Sequence, residues 1–185
     1  MLIDRRPALR RLLDAYRPED SAEQGHRQAI LQLLESTQDP FSRHHFAPGH
    51  VTASAFVLAP DLEQILLILH GKLHRWLQPG GHVDPDDADV IAAARREVAE
   101  EVGLRELAFW RQTAAIFDVD VHVIPARRTE PEHRHFDVRF AFVAPGHAFV
   151  AASDARAGQW VPLREVGRLE SDASVLRAVA KLRRP

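Results

Sequence analysis

The sequence predicts an α/β fold, because two apolar strand-like segments are followed by one helical segment. Residues 51–58 and 64–69 are small, β-branched or apolar, and the turn Ala59-Pro60-Asp61 between them is typical of two neighbouring strands. The second segment is apolar on both faces, so it should lie at the centre of a covered sheet. Residues 88–102 gather their glutamates at helical spacing. Together these segments predict strands covered by helices.

The composition limits the class of protein. The chain has 185 residues, 45% of them hydrophobic, which is enough for one substantial core and an appendage. The absence of cysteine excludes a disulfide scaffold and a thiolate zinc site. A net charge of -2 offers no basic surface for bulk nucleic acid. The longest apolar run, 65–69, is too short to span a membrane, and the charged first residues do not resemble a secretory signal. We therefore expect a soluble, cytoplasmic protein.

Two amphipathic helices are predicted at the beginning of the chain. Apolar residues recur at helical spacing from Leu9 to Tyr16, and Arg17-Pro18 ends this pattern. A second helix should run from about 22 to 37, ahead of Asp39-Pro40. We predict a helical N-terminal extension at 1–47 and a main domain at 48–185. The extension should pack on the main domain or on a second subunit, so a homodimer is one expectation.

More strands should follow the acidic helix, with a polar hairpin loop at 126–133. In the last strand before residue 144, one face carries polar residues and the other carries apolar residues, which suits either solvent or the floor of a site. The polar residues are His133, His135, Asp137 and Arg139. A final helix can be capped by Ser171. The predicted strands are 106–116, 117–125, 136–143 and 158–163.

Three further histidines lie close together in sequence, at His44, His45 and His50. Neither their spacing nor any carboxylate partner indicates a metal site. We interpret the segment as a solvated loop with satisfied imidazoles, in preference to a metal site, which is the alternative interpretation.

The segment from Gly80 to Leu104 carries the chemistry. Glu97 lies three residues before Glu100 and four before Glu101, so a helix projects all three carboxylates within about one turn. Such a cluster repels itself, and a bound hard cation removes that cost; Mg²⁺ prefers oxygen ligands of this kind. Arg96 can orient Glu100, four residues on. A solvated face of glutamates paired with arginines is the alternative interpretation.

This segment resembles the signature of the Nudix hydrolase family. The signature consists of glycine, five residues, glutamate, seven residues, and then Arg-Glu-apolar-any-Glu-Glu-any-Gly-apolar. Residues 96–104 match the second half in full. In the first half, Asp87 stands at the glutamate position after Gly81, and eight residues separate Asp87 from Arg96. The segment is similar to a subgroup with one extra residue in this loop. The resemblance leaves the roles of Asp84, Asp86 and Asp87 open.

The resemblance implies a Nudix-like α/β/α sandwich with a mixed β-sheet. It also implies hydrolysis of a nucleoside diphosphate linked to another group. By this likeness Glu97, Glu100 and Glu101 would hold Mg²⁺ or Mn²⁺, and the carbonyl of Gly81 or its neighbour Gly80 could add an oxygen ligand. Water activated by the metal would attack phosphorus, with one glutamate as a candidate general base.

Four further residues are candidates for binding a small nucleotide-type substrate. Trp76 could stack on a base, and Arg75 could contact phosphate, although packing or a surface position explains them equally well. His82 lies inside the glycine turn, and Arg139 lies on the polar face of its strand. Two other functions stay open: a Nudix-fold module that binds a nucleotide without cleaving it, and an isomerase on the same fold.

Overall fold

The structure is a computed structural model that describes residues 4–71, 74–150 and 155–184. These residues form four α-helices and eight strands. The helices are α1 (Arg6–Ala15), α2 (Ser21–Ser36), α3 (Val90–Val102) and α4 (Ala173–Leu182). The strands are β1 (Gly49–Leu58), β2 (Gln64–His70), β3 (Trp76–Leu77), β4 (Gly80–His82), β5 (Ala108–Phe109), β6 (Asp118–Ile124), β7 (His133–Val143) and β8 (Ala155–Pro162).

The strands form a mixed sheet with the order β3-β2-β1-β7-β5, in which β4 pairs with β1, β6 with β7 and β8 with β2. The β1–β7 neighbours run parallel. The N–H of Arg134 donates to the carbonyl of Pro48, and that of Ala144 donates to Leu58, both at 2.9 Å, so both strands advance by ten residues in the same direction. The pairs β1–β2, β2–β3, β2–β8, β5–β7 and β6–β7 are antiparallel.

Contacts between Cα atoms divide the chain into two compact units. The first unit contains the chain up to Ser54, residues 81–94 and residues 115–140. In this unit α1 packs on α2, where Arg27 Nε donates to the carbonyl of Leu13 at 2.7 Å. Helix α2 in turn packs on β6, where His26 Nδ1 lies 3.2 Å from the carbonyl oxygen of Val119. The predicted boundary between 1–47 and 48–185 stays a prediction.

The second unit contains residues 55–80, residues 95–114 and the chain from Ala141 onward. Strand β2 lies between β1 and β8, and Leu66 and Leu67 are fully buried. The predicted central, covered strand is therefore confirmed. Helix α4 buries Val175, Val179 and Leu182, while Leu176 is exposed.

The cap of α4 was predicted wrongly. Asp172, rather than Ser171, accepts the backbone N–H of Val175, at 2.9 Å. The Ser171 hydroxyl donates to the carbonyl of Trp76 at 2.7 Å. Both residue types are good helix caps, so the tertiary bond to Trp76 decides which of the two caps the helix.

Several predicted strands have different bounds in the structure, and the largest differences concern β5 and β7. The segment 106–116 is extended only at Ala108–Phe109. The strand ends there because the turn Trp110–Gln112 follows, in which Arg111 has a left-handed φ of 54°. Strand β7 begins at His133, three residues earlier than predicted, because β6 pairs with it as far as Ile124 opposite His133. No helix among the described residues is long and apolar enough to cross a membrane.

Gly49 is required where β1 begins beside β7. Its φ is 145°, and a Cβ at this position would lie far inside van der Waals contact with the backbone of Arg134. Gly49→Ala should therefore lower the free energy of unfolding by more than about 2 kcal/mol.

Gly25 provides the matched control for this substitution. It is an exposed residue of α2 with open space around its Cα. Gly25→Ala should raise the free energy of unfolding by about 0.5–1 kcal/mol, because alanine favours the helix. Urea denaturation of both variants checks the pair, and equal effects would contradict the tight approach at Gly49.

Candidate functional site

The loop before α3 is closed by its own aspartates. The Asp87 carboxylate accepts the backbone N–H of Asp84 at 2.8 Å, and the Asp87 N–H donates to the Asp84 carbonyl at 3.1 Å. Arg5 Nη1 donates to the same carbonyl at 2.6 Å. Asp89 then caps the helix by accepting the N–H of Ala92 at 2.8 Å. Asp84 therefore begins the turn that closes this loop, and Asp89 caps the helix.

The acidic residues on α3 are held by a guanidinium. Arg96 Nη1 lies 3.0 Å from Glu97 Oε1 and 3.0 Å from Glu100 Oε2. The Glu97 side chain is 14% exposed, whereas that of Glu100 is 58% exposed. One positive charge thus offsets the repulsion between two carboxylates and fixes their orientation.

The third carboxylate is anchored to the glycine turn. Glu101 Oε2 accepts the backbone N–H of Gly80 at 2.9 Å. Gly103 ends α3 with a left-handed φ of 72°, which glycine adopts without strain. The structure therefore brings Arg96 together with Glu97 and Glu100, and Glu101 together with the glycine turn.

This donor set suits a hard divalent cation. The carboxylates present oxygen atoms from one rigid helix, and Mg²⁺ and Mn²⁺ take oxygen ligands. The Arg96 guanidinium lies between Glu97 and Glu100, which shows that these carboxylates are arranged to bind a positive charge. The residues that would hold the ion are therefore chemically suitable. The carbonyl of Gly81 stays a predicted ligand.

Trp76 and Arg75 lie at strand β3. The Trp76 side chain is half-buried, and its backbone N–H donates to the carbonyl of Glu170 at 2.9 Å. Arg75 is exposed, and its carbonyl accepts the N–H of His70 at 2.9 Å. These backbone bonds fix β3, and the substrate-binding roles of both side chains stay predictions.

Arg139 is placed in the interior. Its side chain is 2% exposed, and its guanidinium contacts three aspartates. The distances are 2.8 Å from Nε to Asp137, 3.2 Å from Nη1 to Asp118 and 3.3 Å from Nη2 to Asp120. The polar face of β7 is therefore buried here rather than solvated, and the predicted substrate contact of Arg139 stays a prediction.

Hydrogen bonds complete this buried network. Thr52 and Ser54 of β1 donate to the Asp137 carboxylate at 3.0 and 2.7 Å. Burial lowers the pKa of Arg139, but the three carboxylates outweigh it and raise the pKa above its usual value. For Asp120, burial raises the pKa, but the hydrogen bond to His122 and the charge of Arg139 lower it overall. Both groups therefore stay charged in the interior.

Histidines gather beside this network in the first unit. His50 of β1 contacts His133 and His135 of β7, with ring centroids 5.2 and 4.9 Å apart. His82 lies 5.1 Å from His50 and 5.4 Å from His135. The solvated loop predicted around His50 is wrong at that residue, because His50 is fully buried.

Burial favours the neutral form of His50, His82 and His135. Burial, and to a smaller extent the charge of His50, lowers the pKa of His82 to about 4. Burial and the neighbouring imidazoles lower the pKa of His135 to about 2. The pKa of His50 is also lowered, chiefly by burial. The predicted substrate residue His82 thus lies among neutral histidines.

Comparison with known proteins shows one family. The sequence matches the NUDIX domain over residues 48–181. A hydrolase of the NUDIX family from Clostridium perfringens is similar in structure, with 19% identity, 76% of this chain and 97% of that chain covered, and a TM-score of 0.56. No curated protein matches.

Two further structures share the fold. One is the E. coli dihydroneopterin triphosphate pyrophosphohydrolase, with 17% identity, 71% and 92% of the two chains covered, and a TM-score of 0.54. The other is the NUDIX domain of Shewanella oneidensis NrtR complexed with ADP ribose, with 17% identity, 72% and 85% covered, and a TM-score of 0.51.

The mixed sheet and the acidic helix define an α/β protein of the Nudix class, which confirms the predicted fold. Because the matched domain covers more than half of the sequence, the chain belongs to the Nudix family. The resemblance noted at residues 96–104 is therefore confirmed.

Removal of Arg139 should destabilise the protein strongly. Arg139→Met keeps the volume of the side chain but leaves three buried carboxylates without their cation. The free energy of unfolding should fall by about 3–5 kcal/mol. Arg134→Met, at an exposed position on the same strand, should change it by less than about 0.5 kcal/mol. Urea denaturation measures both, and a small effect at Arg139 would contradict a network held by its charge.

Proposed function

We propose that the chain is a metal-dependent pyrophosphohydrolase. It cleaves a phosphoanhydride bond in a nucleoside diphosphate linked to another group, such as a nucleotide, a sugar nucleotide or a dinucleotide. The observation that carries the proposal is the arrangement on α3, where Arg96 holds Glu97 and Glu100 and the Gly80 N–H holds Glu101. Membership of the Nudix family supports it, as does the phosphate-rich substrate named for the E. coli neighbour.

Glu97, Glu100 and Glu101 would hold Mg²⁺ or Mn²⁺, with the carbonyl of Gly81 as a further oxygen ligand. When bound, such an ion supplies Lewis-acid stabilisation of phosphate charge and a more acidic water. Arg96 is a positioning residue, since it sets the direction of two carboxylates. The Glu100 side chain is more exposed to solvent than those of Glu97 and Glu101. We therefore choose Glu100 as the group that accepts the proton of the attacking water.

Arg75, Trp76 and His82 are the proposed contacts to the substrate. Arg75 would pair with phosphate, Trp76 would stack on a base, and His82 would offer a neutral imidazole as a hydrogen-bonding group. Direct contact of Arg139 with a substrate would break its ion pairs with three aspartates. We therefore propose that Arg139 acts indirectly, by holding β7 in place. A cytoplasmic location and a homodimer stay predictions.

A panel of nucleotides and sugar nucleotides, incubated with Mg²⁺ or Mn²⁺, tests the activity. At least one compound should yield two phosphate-containing products, or a nucleotide and pyrophosphate, by chromatography. Chelation with EDTA should abolish turnover, and added Mg²⁺ should restore it. Turnover that persists in EDTA would contradict the metal dependence.

Substitution of the carboxylates tests the assignment of residues. Glu97→Gln, Glu100→Gln and Glu101→Gln should each lower kcat by roughly 100-fold or more, the equivalent of about 3 kcal/mol of transition-state stabilisation. Glu106→Gln is the matched control, because Glu106 is exposed just after the helix. Full activity in Glu100→Gln and Glu101→Gln would overturn the mechanism.

A second candidate function is nucleotide binding without cleavage. Asp87 favours this function. It stands at a glutamate position of the signature, and its carboxylate accepts a hydrogen bond from the backbone N–H of Asp84 within its own loop. The NUDIX domain of NrtR in complex with ADP ribose shows that a domain of this fold can hold such a ligand. A thermal shift with a panel member but no product would favour this function over hydrolysis.

A further inference from the structure

The parallel pairing of β1 with β7 brings three histidines to one place. His133 and His135 are two residues apart on β7, so their side chains lie on the same face of the strand. His50 projects from the beginning of the neighbouring strand β1. One ring nitrogen from each of the three lies within 4.8 Å of the other two. All three residues belong to the first compact unit.

The hydrogen bonds of two of these rings determine their tautomers. His50 Nδ1 lies 3.2 Å from the carbonyl oxygen of His45, and His133 Nδ1 lies 2.8 Å from that of Pro131. A carbonyl only accepts, so Nδ1 carries the hydrogen in both rings. In the neutral form of each ring, Nε2 therefore keeps a lone pair. A backbone carbonyl behind Nδ1 is the usual support of a histidine that binds metal through Nε2.

The Nε2 atom of His50 is an unsatisfied polar atom. His50 is fully buried, and within the described part of the chain this nitrogen has no hydrogen-bond partner. A buried acceptor without a partner costs free energy. The lone pair points to a ligand that supplies the missing interaction.

We propose that His50, His133 and His135 form a binding site for one transition-metal ion, with Zn²⁺ as the occupant. Three neutral imidazoles suit Zn²⁺ and its neighbours in the transition series, whereas Mg²⁺ takes oxygen ligands. This site is separate in donor chemistry from the carboxylates of α3. Its role is structural, because it joins β1 to β7.

The distances fit such an ion after a small adjustment. With Zn–N bonds of about 2.0–2.1 Å, tetrahedral ligand nitrogens lie roughly 3.3 Å apart. Nitrogens within 4.8 Å reach this spacing by rotation of the side chains. His82 is the nearest candidate for the fourth position, with its ring centroid 5.1 Å from that of His50.

Metal titration of the tag-free, chelator-treated protein tests the site. Calorimetry should show one Zn²⁺ bound per chain at micromolar or tighter affinity. Co²⁺ in place of Zn²⁺ should give the intense visible bands of tetrahedral coordination. Zn²⁺ should also raise the Tm of the wild-type protein, while Mg²⁺ at the same concentration should not. Absence of both Zn²⁺ binding and Co²⁺ bands in the wild-type protein would overturn the proposal.

Substitutions assign the ligands. His50→Gln, His133→Gln and His135→Gln should each weaken Zn²⁺ binding by at least about 100-fold, since loss of an outer-shell partner alone costs 10–100-fold. His82→Gln should weaken it less. The control is His147→Gln, an exposed histidine of the second unit, which should leave affinity within about twofold.

Circular dichroism identifies any variant that fails to fold, and the wild-type Co²⁺ spectrum decides the proposal in that case. A variant that combines His50→Gln, His133→Gln and His135→Gln completes the series. Unchanged Zn²⁺ affinity in this variant, when it is folded, would also overturn the proposal. Because the readout is metal binding rather than turnover, its failure leaves the proposed hydrolase activity untouched.

Discussion

Strand β7 imposes the main constraint on the first unit, because it is buried on both faces while one face is polar. Phe136, Val138 and Phe140 fill the apolar side. Asp137 and Arg139 are buried on the other side, where each must find a partner or lose the hydration of its charge. The partners come from both neighbours of β7: Thr52 and Ser54 on β1, and Asp118 and Asp120 on β6. The pairing of β7 with β1 and β6 therefore also supplies the partners of its buried charges.

The same constraint explains the histidines at the beginning of β7. At this end of the strand the polar face carries the imidazoles of His133 and His135. His122 of β6 stands opposite His135 in the register and donates to Asp120, which links the histidines to the charged network. Neutral imidazoles cost less to bury than charged groups, but their ring nitrogens still need partners. His50 Nε2 is where that requirement is not met by the described residues.

Local patterns could be predicted from the sequence, whereas contacts between distant segments could not. The spacing of Glu97, Glu100 and Glu101 depends on three or four residues of one helix, so their common face followed directly. Thr52 and Asp137 are 85 residues apart, and only the parallel β1–β7 pair brings them together. The meeting of His50 with His133 depends on the same pair. The alternation of polar residues along β7 was the available signal, and it did not reveal that this face is buried.

Donor chemistry keeps the two proposed metal sites apart. A carboxylate site binds Zn²⁺ more tightly than Mg²⁺ when the two compete for the same ligands, so the Mg²⁺ site proposed on α3 would also bind Zn²⁺ if that ion were free. A group of neutral imidazoles is a better ligand set for Zn²⁺ than oxygen atoms are. Zn²⁺ should therefore fill the histidines of β1 and β7 first, at concentrations that leave Glu97, Glu100 and Glu101 to the more abundant Mg²⁺.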